Sequence, residues 1–95
     1  MDADRISFRV HAIRRMFERG VTPEDVRHVL KTGETIETYP EDMPYPSRLV
    51  LGWKATRALH VVVADNAEAR EAIVITVYEP GPDEWEPGFR RRKRS

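Results

Sequence analysis

The sequence predicts an α+β domain in which two N-terminal helices pack on one face of an antiparallel sheet of about four strands. Apolar residues recur at helical spacing as far as Gly33, and from Thr35 onward they alternate as in strands. The strand-like runs are separated by short turns, which suit antiparallel neighbours. Residues 1–89 are expected to form this single domain, and residues 90–95 a basic, disordered tail.

The two helices are bounded by local signals. The first is expected to begin near Ser7 or Phe8 and to end at Gly20, a residue suited to the left-handed position after a helix. The second is expected to begin with Thr22 as its cap and Pro23 in the first helical position. The core-facing stripe of the first helix is predicted to consist of Val10, Ala12, Ile13, Met16 and Phe17.

Alternation along the strands predicts two different sheet faces. The strands are expected at Thr35–Tyr39, Arg48–Trp53, Ala58–Ala64 and Ala72–Glu79. The face predicted to lie under the helices is apolar and contains Leu49, Leu51, Trp53, Leu59, Val61, Val63, Ile73, Ile75 and Val77. On the other face we expect Gly52 opposite His60 on one flank, and Thr76 or Tyr78 opposite it on the other.

His60, Thr76 and Tyr78 therefore form the first candidate site. Because the residues next to the imidazole are small, the pattern predicts a shallow catalytic site on this sheet surface. The alternative is a half-buried strand whose histidine simply hydrogen-bonds a neighbouring hydroxyl group. The residue pattern leaves both interpretations open.

A second candidate lies on the polar side of the first helix. His11, Arg15 and Arg19 follow one another at intervals of four residues and share one face. A titratable proton carrier beside fixed positive charge suits phosphate chemistry. An ordinary solvated basic face is the alternative.

Composition excludes several classes of site. The chain has no cysteine, and its three histidines lack the spacing of a metal site, so neither a metal nor another cofactor is expected. No apolar run approaches the length of a membrane span, and the simplest compartment is the cytoplasm. The net charge of zero divides into −5 for residues 1–89 and +5 for residues 90–94, a basic strip that either contacts nucleic acid or keeps the terminus soluble.

Two aromatic segments complete the candidates. The proline-rich stretch at residues 39–46, which includes Tyr45, either stacks nucleotide bases or protects a strand edge from pairing. Trp85 and Phe89 are expected to anchor the C-terminal region to the body of the domain.

The combined pattern resembles a family catalogued as domain of unknown function 4258. The resemblance spans roughly residues 6–89 and rests on Phe8-x-x-His11-Ala12-x-x-Arg15-Met16-x-x-Arg19-Gly20-Val21, Tyr39-Pro40-x-Asp42-x-Pro44-Tyr45-Pro46, Leu59-His60-Val61-Val62 and Ile75-Thr76-Val77-Tyr78-Glu79-Pro80. Members look like relatives of the RelE and MqsR toxins, whose fold is also two helices followed by an antiparallel sheet. The resemblance implies a metal-independent endoribonuclease that acts on RNA, paired with a zinc-finger-type antitoxin.

RNA cleavage without a metal needs a base, an acid and positive charge at the phosphate. Our hypothesis assigns proton transfer to His60 and His11, the phosphate clamp to Arg15, and an orienting or donating role to Tyr78. Substrate binding is assigned to Arg19, Arg48 and Tyr45. Which histidine is the acid stays open. A protein- or nucleic-acid-binding module without catalysis is the competing hypothesis, and convergence of the four proposed catalytic residues in one cleft distinguishes the two.

Overall fold

The computed structural model describes residues 3–94, so Met1 and Asp2 of the predicted domain and Ser95 of the predicted tail lie outside the described residues. The described chain contains two helices and five strands in one sheet. In chain order the elements are β1 (Arg5–Phe8), α1 (Val10–Arg19), α2 (Pro23–Thr32), β2 (Glu34–Tyr39), β3 (Ser47–Lys54), β4 (Arg57–Asn66) and β5 (Glu71–Tyr78).

The predicted α+β class is confirmed, and the sheet is mixed rather than purely antiparallel. Its order is β1-β5-β4-β3-β2, with β1 parallel to β5 and the other neighbours antiparallel. Helix α1 packs on β5, and α2 packs on β3 and β4. No helix among residues 3–94 is long and apolar enough to cross a membrane.

The start of the chain corrects the predicted first helix. Ser7 and Phe8 belong to β1, and α1 begins only at Val10. Arg9 stays extended, with φ −67° and ψ 153°, and its N–H donates to the carbonyl oxygen of Val74 at 2.9 Å. Pairing with β5 therefore satisfies backbone groups here that a helix would otherwise have used.

The start of α2 follows the predicted pattern. The Thr22 hydroxyl accepts the N–H of Asp25 at 3.1 Å, and the Asp25 carboxylate accepts the N–H of Thr22 at 2.9 Å, with Pro23 in the first turn. This reciprocal capping box satisfies two N–H groups that a helix start leaves unpaired. The backbone hydrogen bond from Thr22 and the nearby Lys54 ammonium lower the pKa of Asp25.

The main core lies between the two helices and one face of the sheet. It consists of Ala12, Met16, Val21, Val26, Val29, Val50, Leu59, Val61, Val63, Ala72, Val74 and Val77. Helix α1 contributes only Ala12 and Met16, whereas Val10, Ile13 and Phe17 of the predicted core stripe are exposed, a correction to the prediction. Fewer apolar residues of α1 reach the core than its sequence pattern predicts, because α1 packs mainly against one strand, β5.

The prediction of which β3 residues face the helices is wrong. Leu51, rather than Gly52, lies opposite His60, so Val50 and Gly52 face the helices while Leu49 and Leu51 lie on the other side. A bulge between Val62 and Val63 changes the pairing with β5, which places Val74 and Val77 on the same side of the sheet. We call the side away from the helices the far face.

Gly52 leaves room for Val29 of α2, not for His60. A Cβ atom at position 52 would lie 2.7 Å from Cγ1 of Val29, a buried β-branched side chain with little rotamer freedom. We expect Gly52→Ala to lower the free energy of unfolding by about 2 kcal/mol in urea denaturation. Gly81→Ala is the control, since its Cβ would meet only Glu84 Oε1, at 3.7 Å. A Gly52→Ala loss no larger than that of Gly81→Ala would contradict this packing.

Candidate functional site

The far face holds a histidine–tyrosine pair at its centre. His60 lies between Leu59 and Val61, both of which point into the helix-side core, so its own side chain points to the far face. Tyr78 of β5 is its direct cross-strand partner. The Tyr78 hydroxyl lies 3.2 Å from His60 Nδ1, and the two rings meet edge to face at 5.2 Å. The structure thus confirms the predicted proximity of this pair.

Both ring nitrogens of His60 have partners. Nε2 lies 3.0 Å from the backbone carbonyl oxygen of Phe89, which only accepts hydrogen bonds, so Nε2 carries the proton. In the neutral ring Nδ1 is then the acceptor, and the Tyr78 hydroxyl donates to it. This network fixes the tautomer and the ring orientation of a side chain that is 0% exposed.

A C-terminal segment, residues 80–94, covers the site. Two extended stretches of this segment meet at a single antiparallel bridge between Trp85 and Arg92, and the N–H of Glu86 donates to the carbonyl oxygen of Arg91 at 2.8 Å. The turn between them adopts positive φ at Gly88 (91°) and Phe89 (60°). Its backbone presents the Phe89 carbonyl to His60.

Trp85 anchors the C-terminal segment, which confirms its predicted role. It is 3% exposed, and its ring meets the His60 ring edge to face at 4.5 Å. The Arg92 guanidinium lies 4.7 Å from the centre of the Trp85 ring. Phe89 contributes a second, more distant ring contact, to Trp53 at 6.2 Å. Trp85 is therefore the part of the segment that directly shields His60 from water.

Polar side chains of β2 extend the site beyond the pair. The Glu37 carboxylate accepts two hydrogen bonds from Arg92, Nε to Oε2 at 3.0 Å and Nη2 to Oε1 at 3.2 Å. Tyr39 donates its hydroxyl to the same carboxylate. Position 37 lies opposite Leu49, which places Glu37 on the far face with His60. A base, a carboxylate, two phenols and a guanidinium therefore share this surface.

The surroundings shift the pKa values in a consistent way. Burial lowers the pKa of His60 from its ordinary 6.5 despite the opposing effect of the Phe89 carbonyl. The hydrogen bonds from Arg92 lower the pKa of Glu37. Burial raises the pKa of Tyr39 and that of Tyr78. At neutral pH the site thus contains an uncharged imidazole, an ionised carboxylate and two protonated phenols.

The lowered pKa of His60 makes stability depend on pH. Below about pH 6.5 the unfolded chain binds a proton at His60 that the folded protein binds only at lower pH. The free energy of unfolding should therefore fall as the pH drops from about 7.5 to about 5.5, and His60→Gln should reduce this fall. Urea unfolding at both pH values measures the change in the free energy of unfolding. His28→Gln, at an exposed position of α2, is the control and should behave as the wild type.

The structure does not bring His11 and Arg15 to this site. Both are exposed residues of α1, which packs on the helix side of the sheet, and Arg15 pairs with Glu18 at 3.4 Å. His60 and Tyr78 lie on the far face. The prediction of one cleft shared by all four residues is therefore wrong, because the sheet separates the two pairs.

The predicted substrate-binding residues are also dispersed. Arg48 makes a two-pronged ion pair with Asp65, at 2.9 and 3.3 Å, on the helix side of the sheet. Arg19 is exposed at the end of α1, where its carbonyl oxygen accepts a hydrogen bond from Arg57. Tyr45 is half-buried and lines a cleft between the proline-rich loop and the turn at residues 65–69. None of the three lines the His60 site in the described part of the chain.

Sequence reasoning missed Glu37, Tyr39 and Arg92 as site residues. Arg92, assigned from the sequence to a disordered tail, pairs with Glu37, and Arg90 pairs with Glu34 at 2.6 Å. Alternation along β2 places Glu37 and Tyr39 on one face and was the only signal available. Apart from Trp85 and Phe89, nothing in the sequence of residues 80–94 indicated that this segment would dock on the sheet.

The family comparison covers the sheet and both helices. The model of the family described as Domain of unknown function (DUF4258) matches residues 8–79, which include His60 and Tyr78 and end where the C-terminal segment begins. No curated protein and no solved structure matches the chain. Because the family model matches more than half of the chain, the chain belongs to the DUF4258 family.

Proposed function

We propose that the protein is a metal-independent endoribonuclease whose proton-transfer site is the far-face cluster around His60. The observation that carries this proposal is the contact between His60 and Tyr78, beside the Glu37 carboxylate and the Tyr39 phenol on one surface. The resemblance to RelE and MqsR toxins supports the same class of reaction. The four catalytic residues of the sequence hypothesis do not converge in one cleft, which by that criterion favours the binding module; the present proposal rests instead on the far-face cluster, without His11 and Arg15.

The pKa directions support separate acid and base roles. An imidazole that is uncharged at neutral pH can accept the proton of a ribose 2′-hydroxyl group, which then attacks the neighbouring phosphorus. A phenol that keeps its proton, as Tyr78 and Tyr39 do, can protonate the departing 5′-oxygen. Arg92, which contacts Glu37 on the same surface, supplies positive charge for the phosphate.

The C-terminal segment must move before RNA can reach His60. Nε2, the outward nitrogen, is occupied by the Phe89 carbonyl, and Trp85 shields the ring. Displacement of the turn at residues 87–90 removes the acceptor that holds the ring proton on Nε2. The proton then moves to Nδ1, where the Tyr78 oxygen accepts it, so Nε2 is free to act as the base and the Tyr78 hydroxyl is free to donate its own proton. Access by local opening is consistent with a segment held by one buried aromatic side chain and two ion pairs at its edge.

The remaining parts of the proposal follow from the toxin class. An RNA-cleaving toxin acts on cytoplasmic RNA and requires a protein that neutralises it, for which a zinc-finger-type antitoxin is our proposed partner.

Incubation of the purified protein with RNA in EDTA tests the activity. We expect slow cleavage that leaves 2′,3′-cyclic phosphate and 5′-hydroxyl ends. His60→Gln should reduce the rate by about 100-fold or more, the range that general acid–base groups contribute. His28→Gln is the matched control and should cleave like the wild type. Equal background cleavage by all three proteins would contradict the proposal.

A binding module without catalysis is the second candidate function. It is favoured by the complete burial of His60, since both of its ring nitrogens are satisfied. Within residues 3–94 no buried side-chain nitrogen or oxygen lacks a hydrogen-bond partner. RNA binding without cleavage, unchanged in His60→Gln, would support this candidate over the enzyme.

A further inference from the structure

Helix α1 presents an apolar stripe to solvent. Val10, Ile13 and Phe17 are 72%, 53% and 89% exposed. At about 100° per residue the three positions fall within an arc of about 60°, so they form one continuous line along the helix. The contacts of α1 with the core are made instead by Ala12 and Met16. Large apolar side chains gathered in this way typically mark an interaction surface.

Two arginines, Arg9 and Arg14, flank the stripe about 70° from its centre on the helical projection, whereas Arg15 and Arg19 lie on the other side of the helix. Residues 9–19 carry four arginines and one glutamate, a net charge of +3. The rest of residues 1–89 carries seven basic and fifteen acidic residues, a net charge of −8. Arg14 lies directly beside Val10 on the helical projection, at about 40°. Helix α1 is thus a cationic strip on an otherwise acidic body.

We propose that the stripe docks an acidic amphipathic helix of a protein partner. Apolar residues at helical spacing in such a partner would cover Val10, Ile13 and Phe17. Its carboxylates would meet Arg9 and Arg14, the two arginines that flank the stripe. The other cationic stretch is residues 90–94, where Arg90 and Arg92 already pair with Glu34 and Glu37. The apolar stripe beside its arginines therefore distinguishes α1 from that stretch as the docking surface. This inference does not depend on RNA cleavage, because α1 lies on the opposite side of the sheet from His60.

The chemistry of the strip disfavours other occupants. A second copy would bring the Arg9 and Arg14 guanidinium groups of two molecules together. A membrane surface would receive only three apolar side chains, because Ala12 and Met16 of the ten-residue helix are buried against the sheet. Binding of nucleic acid would use the arginines and would not account for the exposed Phe17 side chain.

A synthetic helical peptide is the probe for this surface. It has about 18 residues, with leucines at helical spacing and glutamates elsewhere, and its binding to the full chain is followed by fluorescence anisotropy. We expect Ile13→Ser/Phe17→Ser to weaken binding of the peptide by about tenfold or more, because the variant no longer buries two large apolar side chains against the peptide. Both positions are exposed, so the variant should fold, which circular dichroism checks. Met43→Ser is the control, at an unrelated apolar side chain that is 86% exposed.

The peptide controls separate charge from the stripe. A peptide of the same composition with its leucines scattered should bind about tenfold more weakly. Equal binding of the two peptides, or no effect of Ile13→Ser/Phe17→Ser, would overturn the proposal. Two further results would overturn the proposal. One is a wild-type dimer in sedimentation that Phe17→Ser converts to a monomer. The other is binding of the protein to phosphatidylglycerol vesicles that the acidic peptide does not displace.

Discussion

Trp85→Ala is expected to lower the free energy of unfolding by about 3 kcal/mol, the size of effect seen when a buried aromatic side chain is removed. Trp85 is 3% exposed, and its loss removes both the edge contact with His60 and the stacking of Arg92. Trp53→Ala is the matched control: Trp53 is 44% exposed, and the expected loss is about 1 kcal/mol. Urea unfolding of both variants measures the difference. Equal losses would show that Trp85 does not anchor the C-terminal segment.

The same substitution is expected to accelerate RNA cleavage. If Trp85 contributes about 3 kcal/mol to docking, its removal raises the open population of the C-terminal segment by roughly a hundredfold, because each 1.4 kcal/mol corresponds to a factor of ten. Cleavage limited by opening should then rise by up to this factor, whereas Trp53→Ala should change it by only a few-fold. The assay is RNA cleavage in EDTA at equal protein concentration. A Trp85→Ala rate at or below that of the wild type would argue against a covering role.

The boundaries of α2 and the end of α1 could be predicted because their signals are local. Thr22 and Pro23 define the start of α2, and Gly20 takes the left-handed conformation, with φ 66°, that ends α1. Strand β1 could not be predicted in the same way. Its four residues pair in parallel with β5, more than sixty positions later, and their own composition does not exclude a helix.

The face of β3 was wrongly predicted because both sides of this strand are buried. Alternation distinguishes a core face from a solvent face only when one of them is polar. In β3, Val50 packs under the helices while Leu49 and Leu51 are buried on the far face, where the C-terminal segment also docks. The pairing of Leu51 with His60 depends on the loop between β3 and β4 and on no residue pattern within the strands.

The centre of the site could be predicted, and its surroundings could not. His60 and Tyr78 lie on neighbouring strands joined by a short connection, so a two-residue error in register still leaves them adjacent. Glu37 reaches the site only through the pairing of β2 with β3, and Arg92 only through tertiary docking of residues 80–94. His11 and Arg15 were grouped with His60 by chemical type and by the family pattern, neither of which gives a position in space, and the sheet lies between them.

Cleavage of RNA in EDTA by Trp85→Ala and by Trp85→Ala/His60→Gln tests the central claim most directly, because Trp85 is removed from the cover in both proteins. The account predicts cleavage by the single variant, with 2′,3′-cyclic phosphate ends, and a rate lower by about 100-fold or more in the double variant. Equal rates in the two proteins, or no cleavage by Trp85→Ala, would contradict the assignment of His60 as the proton-transfer group.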